Sequence, residues 1–122
     1  MKKRTLSKKV VSSSDFLNLS VEAQALYFHL SVTADDDGFL NTTLSTARYC
    51  GIPIKTVDEL VKNGYLIRFD RFVFCLTHWR VNNNKINPDR YKSTKYKYFH
   101  SLLIDRQGQP YQLKKEFSDK GA

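Results

Sequence analysis

Cysteine is nearly absent from this chain. Cys50 and Cys75 are the two in 122 residues, too few and too far apart for a disulfide scaffold or a zinc site. Each lies among apolar neighbours and reads as a small buried hydrophobe. Long apolar runs are missing as well. None approaches the ~20 residues of a membrane span, and Met1-Lys2-Lys3-Arg4 has no apolar stretch behind it to act as a signal peptide. These absences lead us to expect a cytoplasmic protein with no membrane partner. Catalytic signatures are equally scarce. There is no Walker glycine loop and no nucleophile elbow. His29, His78 and His100 show no carboxylate or cysteine at a useful spacing. Asp35-Asp36-Asp37-Gly38 looks acidic enough for calcium, but its aspartates are consecutive rather than alternating, and no glutamate follows at the required distance. The expectation is a non-enzyme without metal or cofactor.

What is present is positive charge, and it is segregated. The net charge is +8 with 20 basic and 12 acidic residues. Residues 1–14 hold Lys2, Lys3, Arg4, Lys8 and Lys9 and no acid, whereas residues 15–76 are mildly acidic. Residues 77–100 then carry Arg80, Lys85, Arg90, Lys92, Lys95 and Lys97 against Asp89 alone. Two cationic flanks around an acidic centre suit a polyanion, most often nucleic acid. For the N-terminal run alone, a merely solubilising surface is an equal reading.

Apolar spacing orders the middle of the chain. Ser12-Ser13-Ser14-Asp15 is rich in capping side chains ahead of a short apolar segment. Ser20 suits the N-cap of a helix running to about Ala34, with Glu22 in its first turn. Val21, Ala25, Phe28 and Val32 repeat at helical spacing, widened by Leu26 and Leu30, and predict the spine of the core. A second helix is predicted from Thr42 or Thr43 to Cys50 with Leu44, Ala47 and Cys50 inward, stopped by Gly51. A third runs from Pro53 or Ile54 to Asn63-Gly64 over Val57, Leu60 and Val61. Two strand-like runs follow, Tyr65 to Phe69 and Phe72 to Thr77, with Asp70-Arg71 as a tight turn. The predicted class is α+β: a winged helix-turn-helix, three helices plus a two-stranded hairpin, with short helical or irregular segments at both ends. A basic arm would occupy 1–13, the winged-helix domain and its basic extension 14–100, and a partly ordered tail 101–122, frayed from Phe117 onward.

Several motifs carry a more specific likeness. Ser14-Asp15-Phe16-Leu17, Gln24-Ala25-Leu26-Tyr27-Phe28-His29-Leu30, Ala34-Asp35-Asp36-Asp37-Gly38-Phe39, His78-Trp79-Arg80-Val81-Asn82-Asn83 and Asp89-Arg90-Tyr91-Lys92 occur in this order. Over about residues 7–96 the chain resembles the N-terminal winged-helix module of phage replisome organisers, the DnaD-like initiators. That resemblance implies binding to origin DNA inside a bacterial host, self-association, and a further C-terminal part that recruits the host helicase loader. No such part lies within 122 residues.

A helix-turn-helix props one helix so that its outer face enters the major groove while flanking groups hold phosphates. On the third helix the candidates are Lys55, Thr56 and Lys62, beside Asp58 and Glu59, which repel phosphate although a glutamate can accept from cytosine. On the hairpin they are Arg68 and Arg71. In the flank they are Arg80, Asn83, Lys85, Arg90, Lys92 and Lys95, where most of the affinity is expected. Alternatives stay open at three places. Asn82, Asn83 and Asn84 read base edges or, the stronger reading, cap turns. Trp79 stacks on a base or, again the stronger reading, packs in the core. Tyr91, Tyr96 and Tyr98 stack on single strands or form an aromatic helix face. The expected partner is DNA, duplex in preference to single strand. A homo-oligomer and a host replication protein are further candidates. The competing class is a protein-interaction module, including a phage-encoded inhibitor docking on a host or phage protein.

Overall fold

The computed structural model describes residues 3–84 and 87–115. Two serine caps set its first helices. Ser13 accepts from the Phe16 amide at 3.2 Å and starts α2, Ser14–Leu17, just after the single turn α1, Lys8–Val11. Ser20 accepts from the Ala23 amide at 3.1 Å and starts α3, Val21–Thr33. Each cap satisfies a donor the helix cannot use internally, typically about 1 kcal/mol. A two-residue strand β1, Phe39–Leu40, precedes α4, Thr43–Tyr49, and α5, Lys55–Lys62. Then come β2, Leu66–Arg68, and β3, Phe74–Leu76. Beyond the hairpin lie α6, Trp79–Asn82, α7, Lys97–Ser101, and the short strands β4, Leu103–Ile104, and β5, Gln112–Leu113. The fold is a small α+β arrangement with antiparallel strands.

The core forms where these elements meet. Ala23, Leu26, Tyr27 and Leu30 of α3 pack with Ala47 of α4, Val57 and Leu60 of α5, and Leu66, Phe74 and Leu76 of the hairpin. Each large side chain buried there contributes about 1.5–3 kcal/mol. Phe16, Tyr27 and Tyr65 meet edge to face, with centroids 5.1–5.9 Å apart. Burial pushes the Tyr27 phenol up to about 12, opposed in part by the hydrogen bond from Asn82. Glu59 ties two helices together: its carboxylate accepts from the Ser20 amide at 2.8 Å and from the Ser20 hydroxyl at 2.6 Å. An anion is favourable there, because those groups open α3.

Four expectations change. The stripe Val21, Ala25, Phe28, Val32 is not the spine of the core. α3 buries the opposite face, Ala23, Leu26, Tyr27, Leu30 and Ser31, and leaves Val21 and Val32 largely exposed. The sheet has three strands rather than two, in the order β1-β3-β2, because Phe39 and Leu40 pair with Cys75 and Phe74. The hairpin turn is not Asp70-Arg71. Arg68 is opposite Phe74 and the Phe69 amide bonds the Val73 carbonyl, so three residues, 70–72, make the loop. Asp70 closes it by accepting from the Phe72 and Val73 amides at 2.9 and 2.7 Å. Finally, the segment after the second strand, expected to be helical or irregular, also contributes a second pair of strands. α6 carries Trp79 into the core, and Leu103 pairs with Leu113 in a second antiparallel pair. The frayed end expected from Phe117 lies outside the described residues. Cys75 is buried, as expected, whereas Cys50 is only half-buried.

Candidate functional site

The acidic turn Asp35-Asp36-Asp37 organises the two flanks. Asp35 Oδ1 accepts from the amides of Asp37 and Phe39, both at 2.9 Å, folding the turn on itself. Its other oxygen takes the Thr94 hydroxyl at 2.5 Å. Asp37, only 2% exposed, accepts the Tyr91 hydroxyl at 2.8 Å and the Thr94 amide at 2.8 Å, and its carbonyl takes the Tyr111 hydroxyl. Asp36 accepts the Lys92 amide at 2.8 Å and the Arg4 guanidinium at 3.1 Å. Desolvation of the inward-turned hydroxyl, then its bond to Asp37 and that charge, push the Tyr91 phenol upward. These carboxylates are engaged by the protein's own donors, as buried and half-buried charges require.

The N-terminal segment is held on the same side. Arg4 also donates to the Ala34 carbonyl at 2.8 Å and lies over the Trp79 ring at 5.2 Å. Thr5 and Ser7 bond to Asn82 and Asn83: the Ser7 amide donates to Asn82 Oδ1 at 2.9 Å and the Thr5 amide to Asn83 Oδ1 at 3.0 Å, while the Thr5 hydroxyl donates to the Asn82 carbonyl. The two flanks that hold the excess charge therefore meet at residues 34–37.

Between them runs an open groove of about 740 Å³. Lys92, Lys95 and Lys97 line it with Arg4, and Phe39, Leu40 and Tyr96 form its apolar part. Among the described residues, Arg90, Lys92, Lys95 and Lys97 make no ion pair. Stacked rings connect this groove to the hairpin: Tyr96 on Phe39, Phe39 on Phe69 and Phe69 on Phe99, at 6.1, 5.5 and 4.9 Å. An exposed cationic rim over a groove with donors such as Asn41 and Thr42 can hold an extended anionic chain.

The other candidates fall into different situations. Lys55 and Lys62 are exposed seven residues apart on α5, about two turns and so on one face, with Asp58 beside them. Thr56 is a correction: it is 4% exposed and faces the core. Glu59 is turned toward Ser20 and leaves the outer face of that helix less acidic than the sequence suggests. Arg68 donates to the carbonyls of Asp70 and Arg71 and lies over Phe74, so it braces the loop. Arg71 lies over the exposed Phe72 ring. Arg80 is paired with Asp105 at 3.1 Å and largely covered, which removes it from the set of available cations. Asn83 spends its carbonyl oxygen on Thr5. Lys85 lies outside the described residues. Arg90, Lys92 and Lys95 are exposed, and the structure adds Lys97 and Arg4 to the groove.

No protein-family model, curated protein or solved structure matches this chain.

Sequence reasoning missed Arg4, Thr94 and Lys97 as groove residues. The available signal was the acidic triplet itself: three consecutive carboxylates, one of them buried, require donors from elsewhere in the chain. Trp79 belongs to the core, its Nε1 donating to the Asp36 carbonyl at 2.9 Å. Among the tyrosines, Tyr91 and Tyr96 are used internally and Tyr98 is mostly exposed.

Proposed function

We propose that this chain is a non-catalytic winged-helix module that binds duplex DNA through its two cationic flanks, acting in phage replication initiation as its resemblance to the replisome organisers implies. The order helix, strand, helix, helix, strand, strand, with sheet order β1-β3-β2, supports the winged-helix reading. α4 and α5 would be the helix-turn-helix, presenting Lys55 and Lys62. One observation carries the proposal: segments 3–7 and 90–97, remote in sequence, are fastened to the same turn and bring to one groove Arg4, paired with Asp36, and three lysines that make no ion pair among the described residues. A sugar-phosphate chain is the polyanion such a rim fits, since each neutralised phosphate releases counterions.

The test is fluorescence anisotropy with a labelled random duplex at low salt, with single strand as competitor. The wild type is expected to bind, and the variant R90E/K92E/K95E/K97E to bind at least about a hundredfold more weakly with unchanged circular dichroism. Equal binding by the folded variant sinks this surface. A second reading, a module that docks on another protein, is favoured by the apolar outer face of α3. No binding to either form of DNA would favour it.

A further inference from the structure

The hairpin loop 70–72 is built as a small, stiff finger. The Asp70 carboxylate accepts from the amides of Phe72 at 2.9 Å and Val73 at 2.7 Å. The Arg68 guanidinium donates to the carbonyls of Asp70 at 3.1 Å and Arg71 at 3.0 Å. These backbone groups are satisfied from within, so they lose little when the loop leaves water. Two side chains are left to face outward. Phe72 is 53% exposed, the most exposed phenylalanine among the described residues, although its neighbour Val73 is buried. The Arg71 guanidinium lies over the Phe72 ring at 5.4 Å and makes no ion pair among the described residues.

We infer that Phe72 is a wedge that enters the minor groove of a bound duplex and opens one base step, with Arg71 beside it in the groove. This rests on the DNA-binding reading and adds to it a bend in the bound DNA. Three observations select that occupant. The first is that Phe72 stands alone. Arg68, Asp70 and Arg71 around it are exposed and polar, so the loop offers no contiguous apolar patch of the kind a protein partner covers. A single apolar side chain on a cationic loop suits insertion between stacked bases. The second is charge. A narrow minor groove concentrates negative potential and draws in arginine. Arg68 and Arg71 outnumber Asp70, whose carboxylate is turned onto the loop's own amides. The third is position. Phe69, immediately before the loop, stacks on Phe99 of α7 at 4.9 Å and on Phe39 at 5.5 Å, and Phe39 stacks in turn on Tyr96 of the groove. The finger is therefore packed against the segment that carries Lys95 and Lys97. Phosphates held by those lysines bring a duplex against the hairpin, where a three-residue loop suits a minor groove about 6 Å wide. Partial unstacking by the ring kinks the duplex by roughly 20–90°. Flexible pyrimidine–purine steps such as TA yield to it most readily.

Energy transfer between dyes on the two ends of a duplex of about 20 base pairs, with a central TA step, reads the bend. Anisotropy of the same duplex reads its occupancy, so the two properties separate. At saturation the full chain raises the transfer. Phe72→Leu keeps the rise, because a second apolar side chain of similar reach also wedges. Phe72→Ala still binds through the cationic rim, within about tenfold of wild type, and its saturated complex shows no rise. The substituted side chain is half in solvent, and circular dichroism verifies that both variants fold. A duplex saturated by wild type without a rise, or a rise that survives in Phe72→Ala, overturns the wedge and leaves the duplex reading standing. No binding of wild type to the duplex overturns both.

Discussion

Gly38 has a left-handed backbone, φ +88°, and no room above it. A Cβ at that position would sit 2.6 Å from Cγ of Trp79. Strain in φ and a clash with an immovable ring therefore act together, and Gly38→Ala is expected to cost about 2–4 kcal/mol in urea unfolding. Gly64 has φ +83° but open space around it, so Gly64→Ala should cost only about 1 kcal/mol. Equal losses would refute the role given to the Trp79 contact. His78 sets a second residue-scale property. Burial lowers its pKa below 6.5, its Nδ1 has no hydrogen-bond partner among the described residues, and its ring packs on Tyr65 at 5.1 Å. Below pH 6.5 the unfolded chain takes up a proton that the folded chain refuses, so its contribution to stability is complete above that pH and falls as the solution is acidified toward the lowered folded value. His78→Phe keeps a ring and removes the titration. Between about pH 7.5 and 5.5 the wild type should lose more stability than this variant, and parallel losses would show that another group is responsible.

The extension after α6 is an element held by hydrogen bonds more than by apolar packing. Its anchors are Tyr91 and Thr94 on Asp37, Thr94 on Asp35 and the Lys92 amide on Asp36. Tyr91→Phe removes one donor and leaves the Asp37 carboxylate short of a partner. Trypsin should then cut after Arg90 and Lys92 severalfold faster, while the core melts within about 2 kcal/mol of wild type. Unchanged cleavage would mean the extension is fixed elsewhere. Elements of this kind are where sequence reasoning failed. α3, α4, α5, β2 and β3 were legible because each carries a cap, a period or a glycine stop within its own residues. β1 has two residues and β4 pairs with β5 across about ten, so neither has a period to read, and only distant partners define them. Both faces of α3 are apolar, and periodicity alone has no means of saying which one the chain covers: Leu26 and Leu30 are buried, whereas Val21 and Val32 are not. The two-residue turn failed for a comparable reason: Asp70 and Arg71 mark a loop, but its length follows from the strand register. At the site, the basic tally was readable. Which cations are already occupied was not, because Asp105 for Arg80 and Asp36 for Arg4 are distant in sequence.

Across the whole molecule, the charge that is segregated in sequence is gathered in space. The acidic centre is folded so that its most acidic turn binds the two basic flanks, by backbone and hydroxyl donors wherever lysine ammonium groups are left outward. Lys92 shows the arrangement in one residue: its amide is fixed on Asp36 while its side chain lines the groove. With Arg90, Lys95 and Lys97 it makes four exposed cations in eight residues, a number that sets the salt dependence. If each neutralises one phosphate, the logarithm of duplex affinity should fall with the logarithm of salt at a slope of about −3.6. That is a loss of roughly 150-fold between about 50 and 200 mM salt. Replacing Lys95 and Lys97 with glutamine should bring the slope to about −1.8, whereas Arg80→Gln should leave it unchanged, because its guanidinium is committed to Asp105. A parent slope shallower than about −1 would mean that whatever affinity exists does not come from phosphate contacts, and a change with Arg80→Gln would mean that the Asp105 pair opens to meet the ligand.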